Sequence, residues 1–165
     1  MGNIIYFQKM NDVIIVFSNL FNEIVKEVAV VKGNGENAFV VSPPYSRKMW
    51  SKSEEYLNIE STKSLGLSWN EGHVKYKRIQ SLLEIYVDQY STIFVHGATA
   101  EQRMKLMFPM NAVINMESIG CPEEVNAELE IDCECAVSTE HKNSVKCALK
   151  RAVSYKVWLK NNYDY

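Results

Sequence analysis

Three runs of β-branched and aromatic residues open the chain and predict three strands. They cover residues 13–17, 24–31 and 38–41. Such a continuous apolar run is typical of a strand that is buried on both faces. Gly33-Asn34-Gly35 supplies a tight turn between the second and third runs, and Pro43-Pro44 ends the third. The pattern predicts a three-strand meander whose first strand is central.

The rest of the chain alternates between helical and strand patterns. The predicted elements are a short helix within 46–63, a loop at 66–72, helices over 76–86 and 99–108, strands over 92–96 and 112–116, and a helix over 141–159. Thr99 is the expected N-cap of the 99–108 helix. A helix–strand–helix–strand order implies parallel pairing through crossovers. We therefore predict an α/β (α+β) fold with a mixed sheet of about five strands flanked by helices.

Length and composition predict one globular domain over residues 1–165. The apolar share of 47% and the charged share of 23% are globular averages. No run approaches eighteen apolar residues, and the first residues lack the basic and apolar segments of an export signal. We expect an intracellular protein, cytoplasmic or nuclear, without a membrane partner.

Cysteines and charges are both concentrated in the last third of the chain. Cys121, Cys133, Cys135 and Cys147 surround His141, which favours reduced thiols or a metal site over a disulfide framework. Residues 117–140 hold eight acids and no Lys or Arg, whereas residues 141–162 hold six Lys or Arg and no acid. The segregation fits either an acidic loop beside a solvated helix or a basic stripe for phosphate groups.

Residues 93–101, Ile-Phe-Val-His-Gly-Ala-Thr-Ala-Glu, and residues 147–152, Cys-Ala-Leu-Lys-Arg-Ala, resemble two motifs of the DEDDh 3′–5′ exonucleases. These enzymes have a ribonuclease-H-like fold, in which acids hold two Mg²⁺ ions and a His deprotonates the attacking water. The resemblance matches His96 to the His of the middle motif and Glu101 to its Asp. It implies a ribonuclease-H-like sheet for this chain.

The same resemblance implies that most of the catalytic acids are replaced. Lys146 stands where the general-base His belongs, and Arg151 stands where the last Asp belongs. The first strand offers Val16-Phe17-Ser18-Asn19 and no carboxylate. A single substitute, Glu101, is too little for two Mg²⁺ ions. We expect no Mg²⁺ pair and no two-metal exonuclease activity, and we lean towards a protein that is not an enzyme.

Lys26-Glu27-Val28-Ala29 and the His141-x5-Cys147 spacing resemble the Maelstrom domain of the same superfamily. That domain binds zinc through Glu, Cys, His and Cys, but its remaining Cys matches Ser138 here. The resemblance implies a zinc site with a ligand set in which Cys135, or less favourably Cys133, replaces that Cys. The set is Glu27, Cys135, His141 and Cys147. Alternatively, Cys147 packs as a small apolar residue and His141 is an exposed residue at the helix start.

A third resemblance extends over nearly the whole chain. It is carried by Ile24-Val25-Lys26-Glu27, Pro43-Pro44-Tyr45, the 69–76 stretch with Gly72, and Gly120-Cys121-Pro122. These phrases are similar to a group of uncharacterised proteins from arthropods and their viruses or mobile elements. This resemblance implies no activity.

Three functions follow as hypotheses. The first is a degenerate nuclease that binds single-stranded nucleic acid, RNA in preference to DNA. The binding surface is a basic face comprising Lys142, Lys146, Lys150 and Arg151. The second is a metal-independent ribonuclease of Maelstrom-domain type, with acid–base roles for His96, Glu101 or His141. The third is a protein-interaction scaffold that uses the acidic segment 123–140 or an aromatic end comprising Tyr155, Trp158, Tyr163 and Tyr165. The sequence leaves the oligomeric state open.

Overall fold

The computed structural model describes residues 13–21, 23–125 and 146–163. The strands within these ranges are β1 (Val13–Phe21), β2 (Ile24–Lys32), β3 (Gly35–Ser42), β4 (Val74–Lys75), β5 (Thr92–Val95) and β6 (Ala112–Asn115). The α-helices are α1 (Lys52–Leu65), α2 (Ile79–Leu83), α3 (Ala98–Met107) and α4 (Ala148–Asn162). Short 3₁₀ turns cover Arg47–Met49, Tyr76–Arg78 and Met116–Ile119. None of the helices in these ranges has the length and apolar character needed to cross a membrane.

The described strands form one mixed sheet in the order β4-β3-β2-β1-β5-β6. β1, β2 and β3 pair antiparallel, whereas β5 is parallel to β1, β6 to β5 and β4 to β3. It follows that β1, β3, β4, β5 and β6 all point the same way and end at one edge of the sheet. We call this the carboxyl edge; β2 begins there.

Two apolar clusters fill the faces of the sheet, because the side chains of its strands alternate between them. On one face, Ile15 and Ala29 pack against Ala152, Tyr155 and Leu159 of α4. The opposite face carries a second cluster built from the sheet together with α2 and α3, including Ile14, Val16, Val30, Ile93, Leu83 and Met104. A smaller third cluster lies by the end of α1 and comprises Phe21, Val40, Leu65, Leu67 and Trp69. The layers are therefore helix, sheet and helices.

The structure confirms the predicted meander, the central position of β1 and the parallel pairing of the two later strands. Ser42 is the last residue of β3, as Pro43-Pro44 predicts. The sheet has six strands rather than about five, because Val74-Lys75 adds β4 beside β3. A two-residue strand has no periodicity for sequence reasoning to detect. Its position is set by pairing of Val41 with Val74 and of Ser42 with Lys75.

Several helix boundaries differ from the prediction. α1 runs for 14 residues, and Ser51 and Glu54 form a reciprocal capping box that fixes its start. The 76–86 helix is shortened to the five residues of α2, preceded by a 3₁₀ turn. The Thr99 cap is wrong: Gly97, with φ of 99°, is the N-cap of α3, and Thr99 lies in its first turn. The last helix begins at Ala148, and residues 141–145 lie outside the described ranges.

Candidate functional site at the carboxyl edge

Glu27 of β2 is a fully buried carboxylate that contacts the first residue of α4. Its Oε2 accepts hydrogen bonds from Asn19 Nδ2 at 2.8 Å and from the Ala148 backbone amide at 3.1 Å. The Cys147 thiol donates to Oε1 at 3.8 Å. A negative charge is favourable here, because unpaired amides make the first turn of a helix the positive end of its dipole. Glu27 therefore fixes the place where α4 leaves the sheet edge.

Two of the four predicted zinc ligands are brought together in this cluster. In tetrahedral zinc sites, bonds of about 2.3 Å to sulfur and about 2.0 Å to oxygen separate the two ligand atoms by roughly 3.5 Å. The separation of 3.8 Å between Glu27 Oε1 and Cys147 Sγ fits that geometry. Both residues have no exposed surface. Cys135, its alternative Cys133, and His141 lie outside the described ranges.

Within residues 13–21, 23–125 and 146–163, no group of three or more His, Cys, Asp or Glu side chains is arranged to hold an ion. The Glu27–Cys147 pair is therefore the part of the predicted set that the described residues supply.

Lys146 lies at the rim of an open groove beside the end of β1. This first groove has a volume of about 430 Å³, and Asn19, Leu57, Glu60 and Ser64 are among its lining residues. The exposed Lys146 side chain donates to Ser64 Oγ at 2.5 Å, and its carbonyl accepts from Asn19 Nδ2 at 2.6 Å. The acid that faces the groove is Glu60, and it pairs with Lys63 at 3.3 Å. A cation and an amide thus border the cavity.

The other predicted phosphate-binding residues are engaged by neighbouring groups, half-buried or outside the described ranges. Arg151 donates to the Glu123 carbonyl at 2.6 Å and to the Tyr155 hydroxyl at 3.0 Å. Its guanidinium also lies 4.7 Å from the centre of the Phe17 ring. Lys150 is half-buried in the first turn of α4, and Lys142 lies outside the described ranges. Lys146 is the most exposed cation of those that the structure describes in this set.

The candidate acid–base residues contact different partners. The His96 side chain is only 6% exposed, with Nδ1 3.7 Å from Glu117 Oε1 and Nε2 3.1 Å from the Pro122 carbonyl oxygen. Its ring stacks on Tyr155 with 4.9 Å between centroids. Glu101 lies on α3, where Lys105 donates to it at 2.5 Å. A substrate would have little access to His96, and His141 lies outside the described ranges.

The aromatic end of the chain packs inwards in the part that is described. Tyr155 is buried and donates to the Glu123 carbonyl at 2.7 Å. Burial raises the pKa of this phenol. Trp158 and Tyr163 form a ring pair, and Tyr163 donates to the Ile119 carbonyl at 2.8 Å. These three aromatics complete the α4 core cluster, whereas Tyr165 lies outside the described ranges.

Sequence reasoning missed the role of Lys26, which has no exposed surface. Its ammonium donates to the carbonyls of Val41 at 3.0 Å, Trp69 at 2.8 Å and Glu71. Burial lowers the pKa of Lys26 to about 8, and the charge of Glu71 opposes that shift. The available signal was a Lys-Glu pair inside a strand pattern that is otherwise apolar on both faces.

Comparison of the chain with models of protein families found no match, and searches of curated proteins and of solved structures found none either.

Proposed function

We propose that this chain is a catalytically degenerate, ribonuclease-H-like domain of the DEDDh type. Its carboxyl edge binds single-stranded nucleic acid, RNA in preference to DNA. The sheet order supports the assignment of fold. An antiparallel meander is extended by β5 and β6, both parallel to β1, and α4 covers one face. This is the arrangement that the exonuclease resemblance implies.

The observation that carries the proposal is the pairing of a cavity with an exposed cation. The first groove opens beside the end of β1. Lys146 lies at its rim and donates a hydrogen bond to Ser64, which lines the groove. Asn19 lines the groove at the stretch where the exonuclease motif has acids. An amide there does not repel phosphate oxygens, and Lys146 at the rim attracts them. The acid in the lining, Glu60, pairs with Lys63. The groove therefore suits a phosphate backbone without a metal ion.

The absence of a Mg²⁺ pair is part of the same proposal. Arg151 takes the place of the motif's last Asp, and its guanidinium stacks over Phe17 of the first-strand motif. A fixed positive charge at that point opposes the binding of divalent cations. We therefore expect no Mg²⁺-dependent shortening of a labelled oligonucleotide by this domain, and progressive shortening that EDTA stops would contradict this part.

We also propose a structural zinc ion at the start of α4, held by Glu27, Cys147, His141 and Cys135. The described pair supports it, because the second carboxylate oxygen is oriented by Asn19 and the Ala148 amide while Oε1 faces the thiol. Hydrogen bonds of this kind fix the orientation of metal ligands. Bound zinc would lock the segment that carries Lys146.

A binding titration with matched variants tests the nucleic-acid proposal. Labelled oligouridine is titrated with the wild type, with Lys146→Glu/Lys150→Glu, and with Lys160→Glu. Lys160 is the control because it lies on the same helix near Val13 and Gly33, at the opposite edge of the sheet. We expect the double variant to bind about tenfold more weakly at low salt and to lose roughly 1.4 from the log–log salt slope.

Lys160→Glu should retain the wild-type affinity. Absence of binding by the wild type, or equal losses in the two variants, would contradict the proposal. An oligodeoxythymidine of equal length, titrated in parallel, measures the preference for RNA.

Native mass spectrometry before and after chelation tests the zinc proposal. The wild type should carry one zinc ion that a chelator removes, whereas Glu27→Gln and Cys147→Ser should carry none. Lys26→Met is the matched control, since it also removes a buried charge from β2 and should retain zinc. A wild type without zinc after expression with added zinc would contradict the site.

A further inference from the structure

A second groove lies further along the carboxyl edge, between the ends of β3 and β4. It has a volume of about 300 Å³. Ser42, Pro43 and Pro44 line it on the β3 side, and Lys75, Tyr76 and Lys77 line it on the β4 side. Because Ser42 pairs with Lys75 in the sheet, the two walls are held together at their base.

The two lysines of this second groove are unpaired within the described residues. Lys75 and Lys77 are exposed, and neither forms an ion pair or a side-chain hydrogen bond there. The carboxylates of Glu54 and Glu71 are hydrogen-bonded to other groups. Glu54 accepts from the Ser51 amide at 2.8 Å and from a tyrosine hydroxyl, and Glu71 accepts from a backbone amide at 3.2 Å. The groove therefore presents two available ammonium groups on either side of one aromatic residue.

Close contacts tie the two walls of the groove to each other. Gly72 approaches β3 so closely that a methyl group on it would overlap the backbone of Val41 and Ser42. Ser42 Oγ donates to the Gly72 carbonyl at 3.1 Å. Lys26 ties the Val41 carbonyl to the loop that leads into β4. A preformed groove loses little conformational entropy on binding.

We propose that this second groove is a further contact site for the same single strand of nucleic acid, with phosphates at Lys75 and Lys77 and a base on the Tyr76 ring. The inference rests on the proposed function, because it takes the ligand from it. Cations flanking an aromatic side chain are the arrangement by which proteins hold single strands without reading their sequence. Tyr76 is half-buried and packs against the second core cluster, so its ring is fixed for stacking.

The test compares Lys75→Glu/Lys77→Glu and Lys75→Gln/Lys77→Gln with the wild type, the Lys146→Glu/Lys150→Glu variant and the Lys160→Glu control. All are titrated with an oligouridine long enough to reach both grooves, after melting curves have shown equal folding. We expect the glutamate variant to bind about tenfold more weakly, with a salt slope reduced by roughly 1.4, and the glutamine variant to show the same reduced slope.

Ultraviolet crosslinking of the wild type to the same oligouridine should attach nucleotides to the peptide that contains Tyr76. Unchanged affinity of both groove variants, alongside weakened binding by the Lys146→Glu/Lys150→Glu variant, would overturn this inference and leave the proposed function in place. No binding by the wild type would overturn both. Polyglutamate that binds as tightly as oligouridine, without crosslinks at Tyr76, would assign the groove to acidic peptides and also overturn the inference.

Discussion

Lys26 and Glu27 are neighbours on β2, and both are buried without any exposed surface, yet their surroundings differ in kind. Lys26 is held by three backbone carbonyls from β3 and the loop before β4. Glu27 faces α4 and is held by an amide side chain, a backbone amide and a thiol. Successive side chains of a strand point to opposite faces, so one residue step separates the two environments.

Lys26 is therefore a structural charge, whereas Glu27 is a candidate metal ligand. Lys26 is surrounded by main-chain carbonyls that satisfy its three hydrogen bonds. The carboxylate of Glu27 shares its site with Cys147, which can also bind a metal ion. Each charge supports one groove, because Glu27 anchors the segment with Lys146 and Lys26 anchors the loop that leads to Lys75.

The largest effect should come from Glu27→Ala. The substitution leaves the Ala148 amide without its acceptor and opens a cavity beside Cys147, so we expect a loss of about 4 kcal/mol in the free energy of unfolding. Urea denaturation measures it. Glu27→Gln keeps an acceptor oxygen and should lose less stability while still losing zinc. Equal stability of Glu27→Ala and the wild type would remove the anchoring role.

Lys26→Met should cost about 3 kcal/mol, because three buried carbonyls lose their donor while the aliphatic chain is retained. The same urea measurement applies. Zinc content should be the same in Lys26→Met as in the wild type. Lys146→Glu should weaken oligouridine binding by the same factor in both. Loss of zinc from Lys26→Met would show that Lys26 and Glu27 belong to one site and would contradict their separation into two environments.

Gly72→Ala should destabilise the protein by about 2 kcal/mol. The glycine has φ of 154°, and the added methyl group would overlap the β3 backbone. The damage should be confined to the second groove, so oligouridine affinity should fall while zinc content is retained. Gly120→Ala is the matched control, because its φ of 91° is also unfavourable for alanine but no atom lies near the added group. Wild-type affinity of a folded Gly72→Ala protein would contradict the role of this turn.

A further effect is a pH dependence that belongs to Lys26. Its pKa is about 8 in the folded protein and 10.5 in the unfolded chain, so the unfolded state binds more protons between these values. The contribution of Lys26 to the free energy of unfolding should therefore rise with pH over that window. The stability difference between the wild type and Lys26→Met should widen from pH 8 to pH 10.5, and a constant difference would contradict the lowered pKa.

The parts of the fold that sequence could predict are those with local signals. Apolar runs identified β1 to β3, and Gly33 and Pro43 marked where two of them meet or end. β4 has two residues and exists through its pairing with β3, so no periodic pattern announced it. Thr99 was the wrong cap, because Asn115 from the next strand holds the Gly97 amide and helps set the start of α3.

The site was predictable in part for a similar reason. Glu27 and Cys147 were found through a resemblance, and the structure places them in contact across 120 residues of sequence. The cage around Lys26 and the second groove depend on contacts between distant backbone atoms. Lysine is rarely fully buried, and no sequence pattern indicates the distant carbonyls that hold Lys26.

An amide chemical-shift titration of the ¹⁵N-labelled protein with oligouridine tests the central claim most directly. We predict perturbed amides along the carboxyl edge, at Asn19, Ser64, Lys146 and the 75–77 segment, with little change at Gly33 and Lys160. Perturbations concentrated around Gly33 and Lys160, or none at saturating oligouridine, would contradict a nucleic-acid-binding surface at that edge.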